Sequence, residues 1–280
     1  RIIAELGLDM EHTDVFITHM HADHAGMIKH ILRPGSILYC SEPDANYLSQ
    51  PYVWQDRFDF AKLNGFPTWD EAAFQNPDFN YFDIPIERFT FIRDGDMIIL
   101  PGWNLRCVFT PGHSKGHMCL YDIDRKWLFS GDHVLDGITP NIGLFLDDWN
   151  PLEDYLHSLN RIASLEVLLT LPGHRKPINN LRKRIAELHT HHQRRCDEIM
   201  ESLAGGPLNV FQIAGLITWD LTYKKWEEFP NTQKWFAFGE VMAHLRFLEG
   251  RGKVERKCTD DGLVVYHLST NNLAKCVNNY

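Results

Sequence analysis

Four potential metal ligands lie within a run of six residues near the start of the chain. His19, His21, Asp23 and His24 directly follow a short apolar run at 14–18. Alternate residues of an extended segment point the same way, so the first two histidines can face one ion. The turn that follows swings the other two side chains toward a second ion. Imidazole and carboxylate together suit zinc, iron or manganese better than calcium or magnesium.

Three further residues share one context, since each lies in a tight turn directly after a predicted strand. They are His113 after the run 105–109, Asp132 after the run 127–130, and His174 after the run 166–171. A lone Gly-His or Gly-Asp pair is usually only a turn, so each signal is weak by itself. Because the three follow the first motif in this order, they form a specific signal when taken together.

These motifs, in this order, resemble the metallo-β-lactamase superfamily. The closest branch contains hydroxyacylglutathione hydrolase-like and β-lactamase-like enzymes with a C-terminal winged-helix domain. The resemblance runs through the motifs from Asp14 to His174, and through the element order of the tail. It implies two divalent metal ions, with zinc preferred and iron or manganese as alternatives. The implied ligands are His19, His21 and His113 for one ion, Asp23, His24 and His174 for the other, and Asp132 as a bridge.

The resemblance also implies a reaction type. Two cations lower the pKa of a shared water to near neutrality, so a metal-bridging hydroxide becomes available as the nucleophile. One ion also polarises the attacked carbonyl or phosphoryl oxygen. Asp132 as the bridge and Asp23 as a ligand that can shuttle a proton are the predicted catalytic residues. A reaction of this type needs no protein nucleophile.

The elements that must position these residues are short strands, loops and helices. Strand candidates occur at 14–18, 36–40, 97–100, 105–109, 118–123, 127–130 and 166–171, and a helix candidate at 151–165. Strand ends that repeatedly deliver His or Asp indicate sheets packed face to face under outer helices. Together with the resemblance, this pattern predicts an α/β fold, an αββα sandwich, in a metal-hydrolase domain at 1–200.

The tail at 201–280 is predicted to form a small winged-helix domain. A segment at 208–219 and a long amphipathic segment at 236–249 have helical spacing. Strand candidates at 254–257 and 263–267 flank Asp260-Asp261-Gly262, a strong signal for a hairpin turn.

Residues 51–82 are rich in aromatic side chains and lack strand alternation. Two interpretations are compatible with each other. The segment is a helical insertion that packs on its own domain, or it forms a wall over the active site that contacts an apolar part of the substrate.

Charge and cysteine content bound the class of protein. The net charge is −9, and it is uneven: residues 1–180 hold 14 Lys+Arg against 25 Asp+Glu, which gives −11. An acidic metal-binding part disfavours broad nucleic-acid binding. The six cysteines are scattered without a CxxC pair, which predicts free thiols in a reducing cytoplasm. No run of 18 apolar residues and no secretory signal is present, so we expect no membrane association and a cytoplasmic location.

Substrate class is only partly constrained. A typical two-zinc β-lactamase is disfavoured, because neither Cys107 nor Cys119 falls at a ligand position. Nucleases with an inserted domain are disfavoured too, since no such domain fits between Asp132 and His174. The favoured reaction is hydrolysis of a thioester or related ester, of the acyl-CoA or hydroxyacylglutathione kind. The alternatives are a single-stranded RNA endonuclease, a lactonase and, least favoured, a non-catalytic metal-binding scaffold.

The predicted partner is a small-molecule substrate, with nucleic acid not favoured. The candidate recognition helix at 233–249 carries only Lys234 and Arg246 as bases. The predicted wing at 251–257 is more basic, but Asp260 and Asp261 dilute its charge. A packing or dimerisation module fits this tail better, and a homodimer stays open.

The remaining histidines receive other interpretations. His117 and His133 are expected beside the ligands without binding an ion directly. A cluster at 189–192 is expected to be a solvated helix face with no acid to complete a site. The superfamily normally places several strands before its histidine motif, which this chain reaches at residue 19. We therefore expect the numbering to begin inside a longer protein.

Overall fold

Residues 5–50, 54–67, 84–220, 222–223 and 225–269 are described by the computed structural model. They divide into two compact units. The first unit takes its described residues from 1–52, 71–140 and 157–185, and the second from 53–70, 141–156 and 186–280. The division of the chain into domains at 1–200 and 201–280 stays a prediction.

A three-stranded parallel sheet lies in the first unit. Its strands, in spatial order, are β1 (Val15–Phe16), β2 (Leu38–Ser41) and β3 (Thr90–Ile92). Val15 pairs with Leu38, and Tyr39 pairs with Thr90. The connections carry the short helices α1 (Ala22–Ala25), α2 (Ile28–Ile31) and α3 (Glu42–Leu48), as parallel strands require a crossover between them.

A five-stranded sheet is the second layer of this unit. Its strands are β4 (Met97–Leu100), β5 (Trp103–Phe109), β6 (Met118–Asp122), β7 (Trp127–Gly131) and β8 (Leu169–Pro172), in that spatial order. Strands β4 to β7 form an antiparallel meander, and β8 joins β7 in parallel. All five strands overlap the runs predicted from the sequence.

The period-2 alternation of these strands explains how the layers form. One apolar cluster combines side chains of both sheets, namely Phe16, Tyr39 and Ile92 from the first and Leu105, Cys107, Met118 and Leu120 from the second. A second cluster joins the opposite face of the parallel sheet, through Ile17, Leu38 and Cys40, to helical residues such as Ala25 and Leu48. The helix α5 (Pro151–Ala163) contacts β5, where Arg161 donates to the Phe109 carbonyl. The α/β sandwich prediction is confirmed.

The second unit contains helices and one hairpin. Its elements include α4 (Gln55–Leu63), most of α6 (Leu181–Ser202), α7 (Val210–Leu216), α8 (Asn231–Gly250) and the strands β9 (Val254–Cys258) and β10 (Val264–Leu268). The two strands pair antiparallel, as the turn signal predicted. Leu208 forms an isolated bridge with Tyr266 of β10. The element order agrees with a winged helix, and that name for the tail stays a prediction.

The described part of the aromatic segment belongs to the second unit. The rings of Phe58 and Phe66 lie 5.5 and 5.4 Å from the ring of Trp235, and Phe66 lies 5.3 Å from Phe238. Residues 54–67 thus contribute to the core of that unit, and these rings contact the tail at 201–280, whereas the prediction assigned the segment to the domain at 1–200. Residues 51–53 and 68–82 of the segment lie outside the described residues, and the wall interpretation stays a prediction.

The histidine cluster on α6 differs from its prediction. His192 is only 2% exposed, and its Nδ1 lies 3.0 Å from Nε2 of His244. The side chain of His191 lies 3.8 Å from the carboxylate of Glu240, which also binds Arg195. The expectation of a solvated face without an acid is therefore wrong, because α8 packs against this side of α6. The spacing of residues within one helix does not show which other helix packs against it.

Two bulk expectations can be compared with the described residues. Cys40, Cys107, Cys119 and Cys196 are buried free thiols, whereas Cys258 is exposed. Among the helices of the described ranges, none has the length and apolar character needed to cross a bilayer.

Candidate metal centre

The first histidine motif lies on the turn between β1 and α1. His19 is fully buried, and its Nδ1 lies 3.1 Å from the hydroxyl of Thr18. His21 precedes α1 with an extended backbone, at φ −65° and ψ 151°. Asp23 and His24 lie within α1 itself. The change from extended to helical backbone therefore directs the four side chains in two directions, as expected.

A first group of ligand atoms combines this turn with the turn after β5. Ring nitrogens of His19, His21 and His113 all lie within 4.8 Å of one another. Nδ1 of His21 is 2.9 Å from Nε2 of His113. Tight approach of imidazole nitrogens is the geometry of rings that share one ion.

A second group combines α1 with the turn after β8. Nε2 of His174 lies 3.1 Å from Nε2 of His24 and 3.0 Å from Oδ2 of Asp23. The side chains of Asp23 and His174 are 59% and 43% exposed. This group therefore opens to solvent, whereas the first group is more deeply enclosed.

Asp132 lies between the two groups. Its Oδ1 is 3.4 Å from Nε2 of His24, and its Oδ2 is 3.6 Å from His174 and 3.9 Å from His113. Its side chain is only 11% exposed. All seven predicted site residues are thus brought together, and the one predicted as a bridge contacts both groups.

Two glycines permit the close approach of these turns. Gly131 has φ +48°, a left-handed backbone that only glycine adopts readily, directly before Asp132. A Cβ on Gly173 would lie 2.6 Å from Oδ1 of Asp132 and 2.7 Å from Cε1 of His24. The Gly-Asp and Gly-His pairs of the sequence are therefore needed for space as well as for turning.

Burial controls the charge of the cluster. It lowers the pKa of His21 to about 3, with a smaller contribution from the neighbouring His113. It lowers the pKa of His19 below the ordinary range as well. Burial alone would raise the pKa of Asp132, but the adjacent rings of His24 and His113 bring it below its usual value. Neutral imidazoles beside an ionised carboxylate are the protonation states that metal binding requires.

His117 and His133 lie next to the ligands, as expected. The His117 ring stacks 5.3 Å from the His19 ring, and its Nδ1 lies 2.8 Å from the hydroxyl of Thr110. His133 is fully buried, and its ring lies 5.8 Å from that of His117. Neither belongs to a group of ligand atoms in the described part of the chain.

Asp44 was not recognised from the sequence. This carboxylate is 2% exposed in the first turn of α3, and it accepts hydrogen bonds from the Met20 amide, the Ser114 hydroxyl and the Gly116 amide. Burial raises its pKa to about 6, and these hydrogen bonds oppose the rise. The only local signal was an acid after a core strand, which is also common at ordinary helix starts.

The donor set fits divalent metal ions. Nε2 of His19 is buried, and it has no hydrogen-bond partner among the described residues. A buried nitrogen without a partner costs free energy unless a ligand satisfies it. Three overlapping groups of His and Asp ligand atoms occur here, and each is compact enough to hold an ion.

Comparison with known proteins identifies the family. The model of the metallo-beta-lactamase superfamily matches residues 11–174, and the model of the metallo-beta-lactamase-like C-terminal domain matches residues 226–269. This chain belongs to the metallo-beta-lactamase superfamily. The family prediction is therefore confirmed. The superfamily typically binds metal ions, and this chain has a His/Asp cluster able to hold them.

The individual relatives and the solved structure named below are 28 to 30% identical to this chain. The atrochrysone carboxyl ACP thioesterase of Aspergillus fumigatus is 28% identical over 189 residues, which are 68% of this chain and 46% of that protein. The acyl-coenzyme A thioesterase MBLAC2 of Homo sapiens is 30% identical over 167 residues, 56% of this chain and 54% of that protein. The chain thus spans about half the length of these relatives. A metallo-beta-lactamase family protein from Thermus thermophilus has a TM-score of 0.77 and 28% identity, covering 95% of this chain and 83% of that one.

Proposed function

We propose that this chain is a binuclear metal-dependent hydrolase that acts on a thioester or a related ester, of the acyl-CoA or acylglutathione kind. The observation that carries the proposal is the position of Asp132. One oxygen lies 3.4 Å from His24, and the other lies 3.9 Å from His113 of the first group. A carboxylate between two groups of histidines suits a pair of neighbouring divalent ions.

The seven candidate ligands divide between two ions in this proposal. The ligands are His19, His21 and His113 for the enclosed ion, Asp23, His24 and His174 for the solvent-facing ion, and Asp132 for both. Zinc is the metal that imidazole and carboxylate donors favour, and iron and manganese accept the same donors.

Bound divalent ions would supply Lewis acidity and make water a stronger nucleophile near neutral pH. The residues of the chain prepare the ligand atoms for metal binding. Burial keeps the imidazole of His21 neutral, so that its lone pair is available without loss of a proton. Asp23 is 59% exposed, and its Oδ2 lies 3.0 Å from His174. We assign its carboxylate the second role of taking up and releasing a proton at the open side of the site.

The choice of a thioester rests on the relatives. Two of them are named as thioesterases, one for an acyl carrier protein and one for acyl-coenzyme A. A thioester carbonyl needs the polarisation and the activated water that such a centre offers.

Ion pairs in the second unit support the choice of a small substrate over RNA. Arg256 binds Asp147 at 2.6 Å and Glu249 at 2.9 Å. Arg246 also pairs with Glu249, and Arg251 pairs with Glu153 at 3.4 Å. The basic side chains of the tail are therefore partly neutralised, which weakens the phosphate contacts that nucleic-acid binding requires.

The test is a substrate panel with the metal-loaded protein. Acyl-CoA, acylglutathione, a lactone and single-stranded RNA are each incubated with the wild-type chain and with Asp132→Ala. We expect thioester turnover that is lost in Asp132→Ala. RNA cleavage or lactone hydrolysis without thioester turnover would overturn the substrate proposal, and no turnover of any substrate by a protein holding two ions would overturn the enzyme proposal.

A further inference from the structure

One buried carboxylate connects two ligand-bearing turns. Oδ2 of Asp44 accepts the Met20 amide at 3.0 Å, and Met20 stands between His19 and His21 in the chain. The same oxygen accepts the Ser114 hydroxyl at 2.7 Å, and Ser114 directly follows His113. The three residues of the enclosed group are therefore all next to a hydrogen bond to Asp44.

The second oxygen of Asp44 accepts a hydrogen bond from the C-terminal end of the turn after β5. Oδ1 accepts the Gly116 amide at 2.8 Å. A Cβ on Gly116 would lie 2.6 Å from this oxygen and 2.2 Å from Oγ of Ser41. Only glycine allows the backbone to come this close to Asp44 and Ser41. Both oxygens are thus engaged, and Asp44 itself lies on a third element, the first turn of α3.

We infer that Asp44 is a positioning residue that sets the spacing of His19, His21 and His113 and thereby the affinity for the enclosed ion. This inference rests on the proposed metal centre. All three partners donate to the carboxylate, and only a group that accepts on both oxygens satisfies them. Partners that orient metal ligands typically change metal affinity by about 10- to 100-fold when removed.

The inference also predicts that loss of Asp44 affects the binding of the two ions unequally. Each hydrogen bond of Asp44 involves the turn at 19–21 or the turn at 113–116. No hydrogen bond of the described residues joins Asp44 to the turn that holds His174. Loss of the carboxylate should therefore loosen the enclosed group and leave the solvent-facing group nearly unchanged.

Asp44→Asn is the decisive variant. The amide keeps the shape of the side chain, but its nitrogen cannot accept, so at least one of the three donors loses its partner. Asp122→Asn is the matched control. Asp122 is also fully buried and accepts from the Asp124 and Arg125 amides, in the turn between β6 and β7.

The measurement is zinc affinity by competition with a chromogenic chelator, without any substrate. We expect two zinc ions in the wild-type chain. In Asp44→Asn one of them should bind at least about tenfold more weakly and the other within about threefold. In Asp122→Asn both should be unchanged. If Asp44→Asn does not fold, Ser114→Ala, which removes one donor and keeps the carboxylate, should weaken the same ion by a smaller factor.

The outcomes separate this inference from the proposed function. If the wild-type chain binds two ions and Asp44→Asn binds both with unchanged affinity, the role of Asp44 is overturned and the metal centre is retained. Unchanged affinities in Ser114→Ala would have the same meaning if that variant has to be used. Equal weakening in Asp122→Asn would likewise overturn it, because any buried carboxylate would then have the same effect. A wild-type chain that binds no zinc, iron or manganese would overturn the proposed function itself.

Discussion

His21 and His113 lie 92 positions apart in the chain, yet Nδ1 of one ring is 2.9 Å from Nε2 of the other. The first follows a strand of the three-stranded sheet, and the second follows a strand of the five-stranded sheet. Contact between them requires the two sheets to stack with these strand ends on the same side. The candidate metal centre is therefore a product of the sandwich, and each ligand depends on packing remote from itself.

Replacing Asp132 by Asn should disrupt the centre with little change of shape. The amide has one accepting oxygen and no charge, so it cannot serve two cations as a carboxylate does. We expect the affinity for at least one ion to fall by about 100-fold or more, because a direct ligand matters more than the groups that orient it. Metal content after dialysis checks this. Asp136→Asn, four residues later and outside the ligand groups, should retain both ions, and full retention by Asp132→Asn would contradict the bridge.

Gly173→Ala should weaken the solvent-facing group. The added Cβ would meet Oδ1 of Asp132 at 2.6 Å and Cε1 of His24 at 2.7 Å, so one of these side chains must move. We expect roughly tenfold weaker binding of one ion, which chelator competition measures. Gly35→Ala is the control, since its Cβ would meet nothing within 4 Å. Equal affinities in the two variants would mean that the turn has more room than its geometry indicates.

Acid should destabilise the chain partly through His244. Burial lowers the pKa of His244 from 6.5 to about 4, although Glu240 on its own helix opposes the shift and Arg195 and His191 on α6 support it. The unfolded chain then binds a proton that the folded chain does not. The contribution of His244 to stability should therefore be constant above pH 6.5 and fall toward pH 4, by at most about 1.4 kcal/mol per pH unit.

Urea unfolding at several pH values checks the contribution of His244. His244→Gln removes the titrating ring, so its stability should fall less steeply between pH 6.5 and 4. Exposed His30 supplies the control, and His30→Gln should keep the wild-type slope. Parallel curves for the wild-type chain and His244→Gln would refute the assignment.

The start of α7 is a simpler test of local energetics. Oδ1 of Asn209 accepts the Gln212 amide at 2.9 Å, and Oε1 of Gln212 accepts the Asn209 amide at 2.9 Å, which forms a capping box. Asn209→Ala should cost about 1 kcal/mol in the free energy of unfolding. Asn231→Ala, at the start of α8 where no side chain caps the helix, should cost clearly less. Denaturant titration compares the two.

The strands and the clustering of the seven candidate ligands were predictable because their signals are local. The run 97–100 is β4 without change, and 151–165 differs from α5 by two residues at its end. His19 to His24 form one motif in one turn. The later ligands could be added because each follows an apolar strand with a Gly beside it, as Asp132 does.

Asp44 and the histidines of α6 could not be predicted for the same physical reason. Their roles depend on partners distant in sequence, such as Ser114 for Asp44 and His244 for His192, which lie 70 and 52 positions away. A single acid after a strand or a single His on a helix has no local feature that distinguishes it. Only the packing of the elements gives these residues their partners.

A binuclear metal-dependent thioesterase is tested most directly by titrating the metal-free chain with zinc while acyl-CoA hydrolysis and bound metal are both recorded. We expect hydrolysis to rise until two ions are bound per chain and then to stop rising. Hydrolysis that is complete with one ion, or that proceeds without any ion, would contradict the proposed function.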